Sequence, residues 1–305
     1  MQISTSLLFD RASTQMSGIQ NDLAKSQAQI SAQKQVLNPS DAPDQAAVIT
    51  RLKSLIGKQE SYSNTLTAVQ ARLDTETTTL SSASDILVRI KELAIQANNP
   101  TAGATGRAAI ATEMKGLRGQ LLSLANTTDT NGAYIFSGTK VHTPAFADVG
   151  GVVSYQGDQT RMNVAVGEHR TVPMNRPGTN AFVRVVRGSG SDATGVGFFQ
   201  AIDDLTQAVQ NGQNANMQRG LTEMDALQQG VVLAQADAGT DMKVVQQQGT
   251  SLDDTKLSLK SALSGVEDLD MASAITAMQK QMLSLEAAQT SFSKISQMSL
   301  FAYLR

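Results

Sequence analysis

The chain has 305 residues with 25 Lys+Arg against 27 Asp+Glu, a formal charge of -2 that excludes a strongly basic nucleic-acid binder. Hydrophobic residues make up 41% but aromatics only 4%, with no Trp, so bulky core material is scarce and a wide globular core is disfavoured. Ala, Leu, Ile, Val and 12 Met, set among Gln, Ser and Thr, suit long helices with narrow apolar seams.

The Cys count of 0 removes disulfides, thiolate catalysis and Cys-ligated metals. The stretch from Met1 to Asp10 has no basic start and too short an apolar run for a cleaved secretory signal. No later run approaches the roughly 18 apolar residues of a membrane span, so neither a membrane nor a nucleic acid is expected as a partner.

Apolar residues spaced alternately by three and four keep one stripe of a helix facing a partner. The first such stripe runs Phe9, Ala12, Met16, Ile19, Leu23, Ser26, Ile30, Gln33, Leu37, and stops at Asn38-Pro39-Ser40-Asp41-Ala42-Pro43. There two prolines end one helix and Ser40 or Asp41 can cap the next. The second holds one phase from Val48 through Leu66, Leu73, Glu76, Leu80 and Ile90 to Ala97, a rod of roughly 80 Å at 1.5 Å per residue. A third helix, with Ile110, Met114, Leu117, Leu121 and Leu124, folds back beside it after the Gly103/Gly106 turn and stops at Asn131-Gly132.

From Gly132 to about Gly190 the period changes. Tyr134–Phe136, Val152–Tyr155, Met162–Val166 and Phe182–Val186 read as short strands punctuated by Gly150-Gly151, Gly157-Asp158 and Pro177-Gly178. Helix resumes over Phe198–Val209, and one phase then runs from Met217 through Met224, Val231, Ala238, Val245 and Leu252 to Val266. After a break at 265–270, Met271, Ile275, Met278, Met282, Leu285, Gln289 and Phe292 start a last stripe that slips to Ile295, Met298 and Ala302.

The fold class is therefore mainly α, with long antiparallel coiled-coil-like rods and a small β-rich insertion. Three regions follow: terminal assembly helices at 1–42 and 267–305, a helical rod domain at 43–131 and 190–266, and an outer insertion at 132–189. The insertion reads as a self-contained unit that the rods can close without. The terminal stretches, with one-sided stripes and balanced charge, are expected to be disordered in the monomer and to take their order from partners.

Chemistry is sparse. His142 and His169 stand in no ligand spacing, and Gly188-Ser-Gly190-Ser-Asp-Ala193 lacks the second strand and ribose-binding acid of a dinucleotide site, so it reads as a linker to the rod. Asp129-Thr-Asn131-Gly132 lacks the calcium-loop Glu, since Gly138 stands in its place. Asp203-Asp204 and Asp253-Asp254 read as solvated helix faces. No catalytic, cofactor or metal site is expected, and the chain is not expected to be an enzyme.

Five stretches carry a family likeness: Met1-Gln-Ile-Ser-Thr-Ser-Leu-Leu-Phe9, Leu37-Asn-Pro-Ser-Asp-Ala-Pro43, Asn131-Gly-Ala-Tyr-Ile-Phe-Ser-Gly138, Leu269-Asp-Met-Ala-Ser-Ala-Ile275 and Ile295-Ser-Gln-Met-Ser-Leu-Phe-Ala-Tyr-Leu304. With them the chain resembles the flagellin superfamily over roughly residues 1–138 and 215–305. Ile30-Ser-Ala-Gln-Lys-Gln-Val-Leu37 lacks the glycine usual in filament flagellins, which favours the junction branch of the superfamily. The resemblance implies a structural component of the bacterial flagellum, exported unfolded through the type III apparatus and seated between hook and filament. It implies hook-associated protein 1 and flagellin as partners, self-assembly into a ring or short tube, and an export chaperone at the C-terminal helix. The assembly seam it implies comprises Phe9, Met16, Ile19, Leu23, Ile30, Leu37, Met271, Ile275, Met278, Met282, Leu285, Phe292, Ile295, Leu300, Phe301 and Leu304. A filament flagellin, or a secreted coiled-coil binding module using its insertion to hold a ligand, remain the alternatives.

Overall fold

The computed structural model describes residues 2–99, 101–188 and 193–303, with side chains described for residue 7 and from residue 9 to 294 within those ranges. In order the elements are α1 (Gln2–Ala32), α2 (Pro43–Ala97), α3 (Ala104–Ala125), β1 (Phe146–Val149), β2 (Val152–Tyr155), β3 (Asn163–Ala165), β4 (Thr171–Pro173), α4 (Gly178–Ala181), β5 (Val185–Arg187), β6 (Thr194–Val196), α5 (Phe198–Asn211), α6 (Asn214–Glu267) and α7 (Met271–Tyr303). The chain forms two compact units, Met1–Gln59 with Asp254–Arg305 and Glu60–Asp253, so the boundaries fall inside α2 and α6 and not at the proline pair.

In Glu60–Asp253 the seams read from the sequence are the buried faces. Leu66, Val69, Leu73, Leu80, Ala83, Leu87, Ile90, Ala94 and Ala97 of α2 are buried, as are Met217, Met224, Val231, Ala238, Val245 and Leu252 of α6. The stripes meet because a 3–4 spacing holds one face toward a partner along the helix. Helix α3 joins the same core through Ile110, Met114 and Leu121, and α5 through Ile202, Leu205 and Val209. Helix α6 carries Gly220 and Gly230 where Leu205 and Val183 press in; a Cβ at Gly230 would stand 2.5 Å from the nearer Val183 methyl.

The β residues form three separate antiparallel hairpins, β1-β2, β3-β4 and β5-β6. Each strand is only three or four residues long, which is why β1, β4 and β6 escaped the period-2 reading. Tyr134–Phe136 is no strand: an isolated bridge joins Thr128 to Tyr134, and Phe136 is buried in the core. The Phe182–Val186 run is strand only from Val185, because Phe182 closes α4 by donating its N–H to the Gly178 carbonyl. Just past the stretch read as a linker to the rod, β6 pairs with β5, with Val185 opposite Val196. Ser189, Gly190, Ser191 and Asp192 of that stretch lie outside the described residues.

The insertion is not self-contained. Phe146, Phe182 and Val185 share one core with α2, α3, α5 and α6, while Val166 and Val172 close a second cluster with Leu66, Val69, Leu73, Val245 and Leu252. Hairpins of this size are marginal alone and are ordered by the helices they cover.

Ion pairs join the two parts. Arg176, just past β4, places its Nε 2.7 Å from Glu76 Oε1 of α2, Nη1 3.2 Å from Asp237 and Nη2 3.0 Å from Asp241 of α6. Arg72 of α2 donates to Asp129 at 2.7 Å and to the Tyr134 carbonyl at 3.1 Å. Asp203 and Asp204 are not a solvated face: Asp203 takes Arg118 at 2.8 Å, and Asp204 takes Arg187, which also reaches Glu223 at 2.6 Å. Burial is the largest influence on Asp203 and raises its pKa.

Candidate assembly surface

In Met1–Gln59 with Asp254–Arg305, α1 and α7 pair as an antiparallel hairpin. Phe9 meets Phe292 edge to face with ring centroids 4.9 Å apart, and Ser26 Oγ donates to Gln281 Oε1 at 2.9 Å. Such an aromatic pair adds about 0.5–1.5 kcal/mol beyond its area. The serine and glutamine fill polar gaps in both stripes and satisfy each other, so the seam stays closed across them.

Beyond α1, Gln33 adopts a left-handed φ of 55° that turns the chain out of the helix. The turn lays Gln33–Gln35 against the connection between α6 and α7: Gln35 N–H donates to the Glu267 carbonyl at 2.8 Å, and Leu269 N–H to the Gln33 carbonyl at 3.1 Å. Lys34 and Lys53 converge on one Glu267 oxygen at 2.7 and 2.8 Å, and their hydrogen bonds hold that carboxyl below its ordinary range. Lys34 is correspondingly raised, chiefly by the bond to Glu267. Asp270 caps α7, accepting from the Ala272 and Ser273 amides at 3.0 and 3.2 Å and from Ser273 Oγ at 2.8 Å.

Of the seam residues read from the sequence, Phe9, Met16, Ile19, Leu23 and Ile30 of α1 and Met271, Met278, Leu285 and Phe292 of α7 are half-buried, with Leu37 half-buried in the turn. Ile275 and Met282 are not in the closed seam and stay 39% and 51% exposed. Ala274, Gln281 and Ala288 take the inner positions instead, giving Met271, Ala274, Met278, Gln281, Leu285, Ala288, Phe292. From Met271 both Ala274 and Ile275 satisfy a helical spacing; small residues inside let α1 and α7 approach, so the larger ones are left outside. The side chains of Ile295, Leu300, Phe301 and Leu304 lie outside the described residues.

The outer face of α7 consequently carries an apolar patch among polar residues such as Gln279, Glu286 and Gln289. Met282 and Leu283, 51% and 66% exposed, stand with Leu23 and Leu285 around an open depression of about 510 Å³. Leu7 of α1 is also 51% exposed. Exposed side chains of this size grouped on one helix mark an interaction surface. Among the described residues no group of three or more His, Cys, Asp or Glu could hold a metal ion, and no helix is long and apolar enough to cross a membrane.

Two family models match this chain: the bacterial flagellin N-terminal helical region over residues 3–141 and the bacterial flagellin C-terminal helical region over 221–304. The chain is 28% identical over 319 aligned residues to flagellar hook-associated protein 3 of Salmonella typhimurium, covering 99% of both chains. It is 26% identical to the protein of the same name from Escherichia coli, again over 99% of each. A solved flagellar hook-associated protein 3 from Legionella pneumophila superposes with a TM-score of 0.65 at 20% identity, covering 72% of this chain and 98% of that one, so the fold is shared. With flagellin helical regions at both ends and a hook-associated relative matching along its whole length, the chain belongs to the bacterial flagellin family and is a structural flagellar protein.

Proposed function

We propose that this chain is the junction component that joins the hook, through hook-associated protein 1, to the flagellin filament. The observation that carries the reading is the end-to-end similarity to hook-associated protein 3, at 28% identity, against 23% to the flagellin of Listeria monocytogenes over a comparable length. It acts by assembly, without catalysis. Copies pack through the paired α1 and α7 helices and the apolar patch on α7 into a ring or short tube.

Export without a cleaved signal follows from the same reading, with the chain passing unfolded through the flagellar type III apparatus. A methionine-rich C-terminal helix suits a chaperone groove before assembly, because Met271, Met278 and Met282 adapt to two partners in succession.

Electron microscopy of cells lacking the gene tests the reading. Hooks without filaments, with flagellin shed into the medium, are expected. Normal filaments on such cells would overturn it, and loss of the filament subunit itself would make the chain a filament flagellin.

A further inference from the structure

Aromatic rings are scarce in this chain, four Tyr and eight Phe, yet five of them, Phe146, Tyr155, Phe182, Phe198 and Phe199, border one cleft of about 760 Å³ in the unit Glu60–Asp253. Two hairpins flank this cleft, β2 contributing Val152–Tyr155 and β6 contributing Gly195 and Val196.

The hydrogen-bond phase of β2 decides what its edge offers. Gln156 N–H donates to the Ala145 carbonyl, in the same register as Phe146 opposite Tyr155, so 145/156, 147/154 and 149/152 are the hydrogen-bonded pairs. Phe146 and Val153 then turn their backbone groups away from the opposing strand. On β1 the outward edge at Phe146 is closed, since Asn126 accepts from its N–H at 2.9 Å and donates to its carbonyl at 2.8 Å. On β2 the outward N–H and C=O of Val153 and Tyr155 have no partner among the described residues. The Tyr155 hydroxyl is fixed between the Phe136 and Asp158 carbonyls, 3.0 and 2.7 Å away, which share its one proton.

An open strand edge beside an apolar cleft is a template for another strand. Across the cleft the exposed Arg184, the only charged residue lining it among the described residues, rests its guanidinium on the β6 edge, donating to the Gly195 carbonyl at 2.6 Å. That carbonyl is neutral, and among the described residues no carboxylate forms an ion pair with Arg184.

We propose that the β2 edge takes up an extended strand from a partner protein, apolar at alternate positions and bearing a carboxylate that meets Arg184. The strand hydrogen-bonds to Val153 and Tyr155, seats its apolar side chains over the Phe182 and Phe198 rings, and draws Arg184 away from Gly195. The inference is independent of the assembly reading, because neither the residues nor the unit involved belongs to the α1–α7 hairpin.

The probe is a fluorescein-labelled acetyl-Ser-Val-Ser-Glu-Ser-Val-amide peptide, with Glu on the same face as its valines, titrated into the full chain by fluorescence anisotropy. Saturable binding is expected in the high micromolar range. A probe N-methylated at the amides that face the edge should bind at least tenfold more weakly, and Arg184→Glu should weaken the parent probe about tenfold while leaving a probe with Gln in place of Glu unchanged. The methylated peptide leaves the protein untouched, so its result is independent of folding. Equal binding of parent and methylated probes, or no binding at one millimolar, overturns the proposal. Self-association of the full chain that Val153→Pro abolishes would assign the edge to a second copy, and likewise overturns it.

Discussion

Arg176 Nε lies 2.7 Å from Glu76 Oε1, and the two side chains are 3% and 2% exposed. The arginine comes from the β insertion and the glutamate from the seam of α2, so this buried pair is one of the ties between the hairpins and the helices. Burial pushes the Glu76 pKa up and Arg176 acts against it, the balance falling on the raised side. Because the guanidinium stays charged, the pair depends on both members being present.

Removing one member therefore costs more than removing both. Arg176→Met leaves Glu76 buried without its cation and should destabilise the chain by about 3–5 kcal/mol, whereas Arg176→Met with Glu76→Leu should return to within about 1–2 kcal/mol of the parent. Urea unfolding of the four proteins of the cycle measures this. A single variant as stable as the parent would show that the pair does not hold the hairpins down.

Two glycines of α6 should respond in opposite directions. Gly230→Ala places a methyl into Val183 and should cost about 1–3 kcal/mol through overpacking. Gly239 has nothing within 4 Å of an added Cβ, so Gly239→Ala should stabilise by about 0.5–1 kcal/mol through helix propensity. Thermal midpoints moving in the same direction would contradict the packing of Val183 on α6.

Asp158 accepts from the Thr139 hydroxyl and, at 2.9 Å, from the Thr160 amide, and these bonds lower its pKa from 3.8 to about 2. A carboxyl depressed in the folded state stabilises above its unfolded value and loses that contribution as pH falls through the folded one. The stability difference between the parent and Asp158→Ala should be constant above about pH 4 and vanish as pH falls toward 2. A difference independent of pH over that interval would mean that the carboxylate is not the acceptor.

Leu23 is half-buried in α1 and borders the apolar depression on α7. Leu23→Asp places a carboxylate there at a cost of several kcal/mol per buried copy, repeated at every subunit of a ring. Junction formation in cells should be lost while the melting of Glu60–Asp253 is unchanged, the substitution lying in the other unit. Motile cells with intact junctions would remove the hairpin from the assembly surface.

The seams of α2 and α6 were legible because a 3–4 repeat can bury only one face, and Leu73, Leu80, Leu87, Val231 and Val245 are all buried as their spacing requires. The α1 stripe was legible for the same reason as far as Ile30, but the helix ends at Ala32, short of the stop expected after Leu37. The stop read at Asn131-Gly132 falls too late, since α3 ends at Ala125 with Asn126 as its C-cap; Asp129 instead fastens the turn beyond it, its carboxylate accepting from the Asn131 and Ala133 amides at 2.8 and 3.0 Å. The polar entry Glu76 stood in an otherwise apolar phase, a visible signal, but its partner lies 100 positions away and no periodicity connects them.

What tertiary structure alone decided is which of two allowed faces is covered and which distant charges meet. On α7 the inward choice of Ala274 over Ile275 depends on how closely α1 approaches, a property of the pair and not of either helix. The hairpins belong to the core because Phe146 and Phe182 find rings on α5, an encounter set by chain path. Local spacing fixes a stripe through the geometry of one helix, whereas a contact between remote segments exists only once both have been placed.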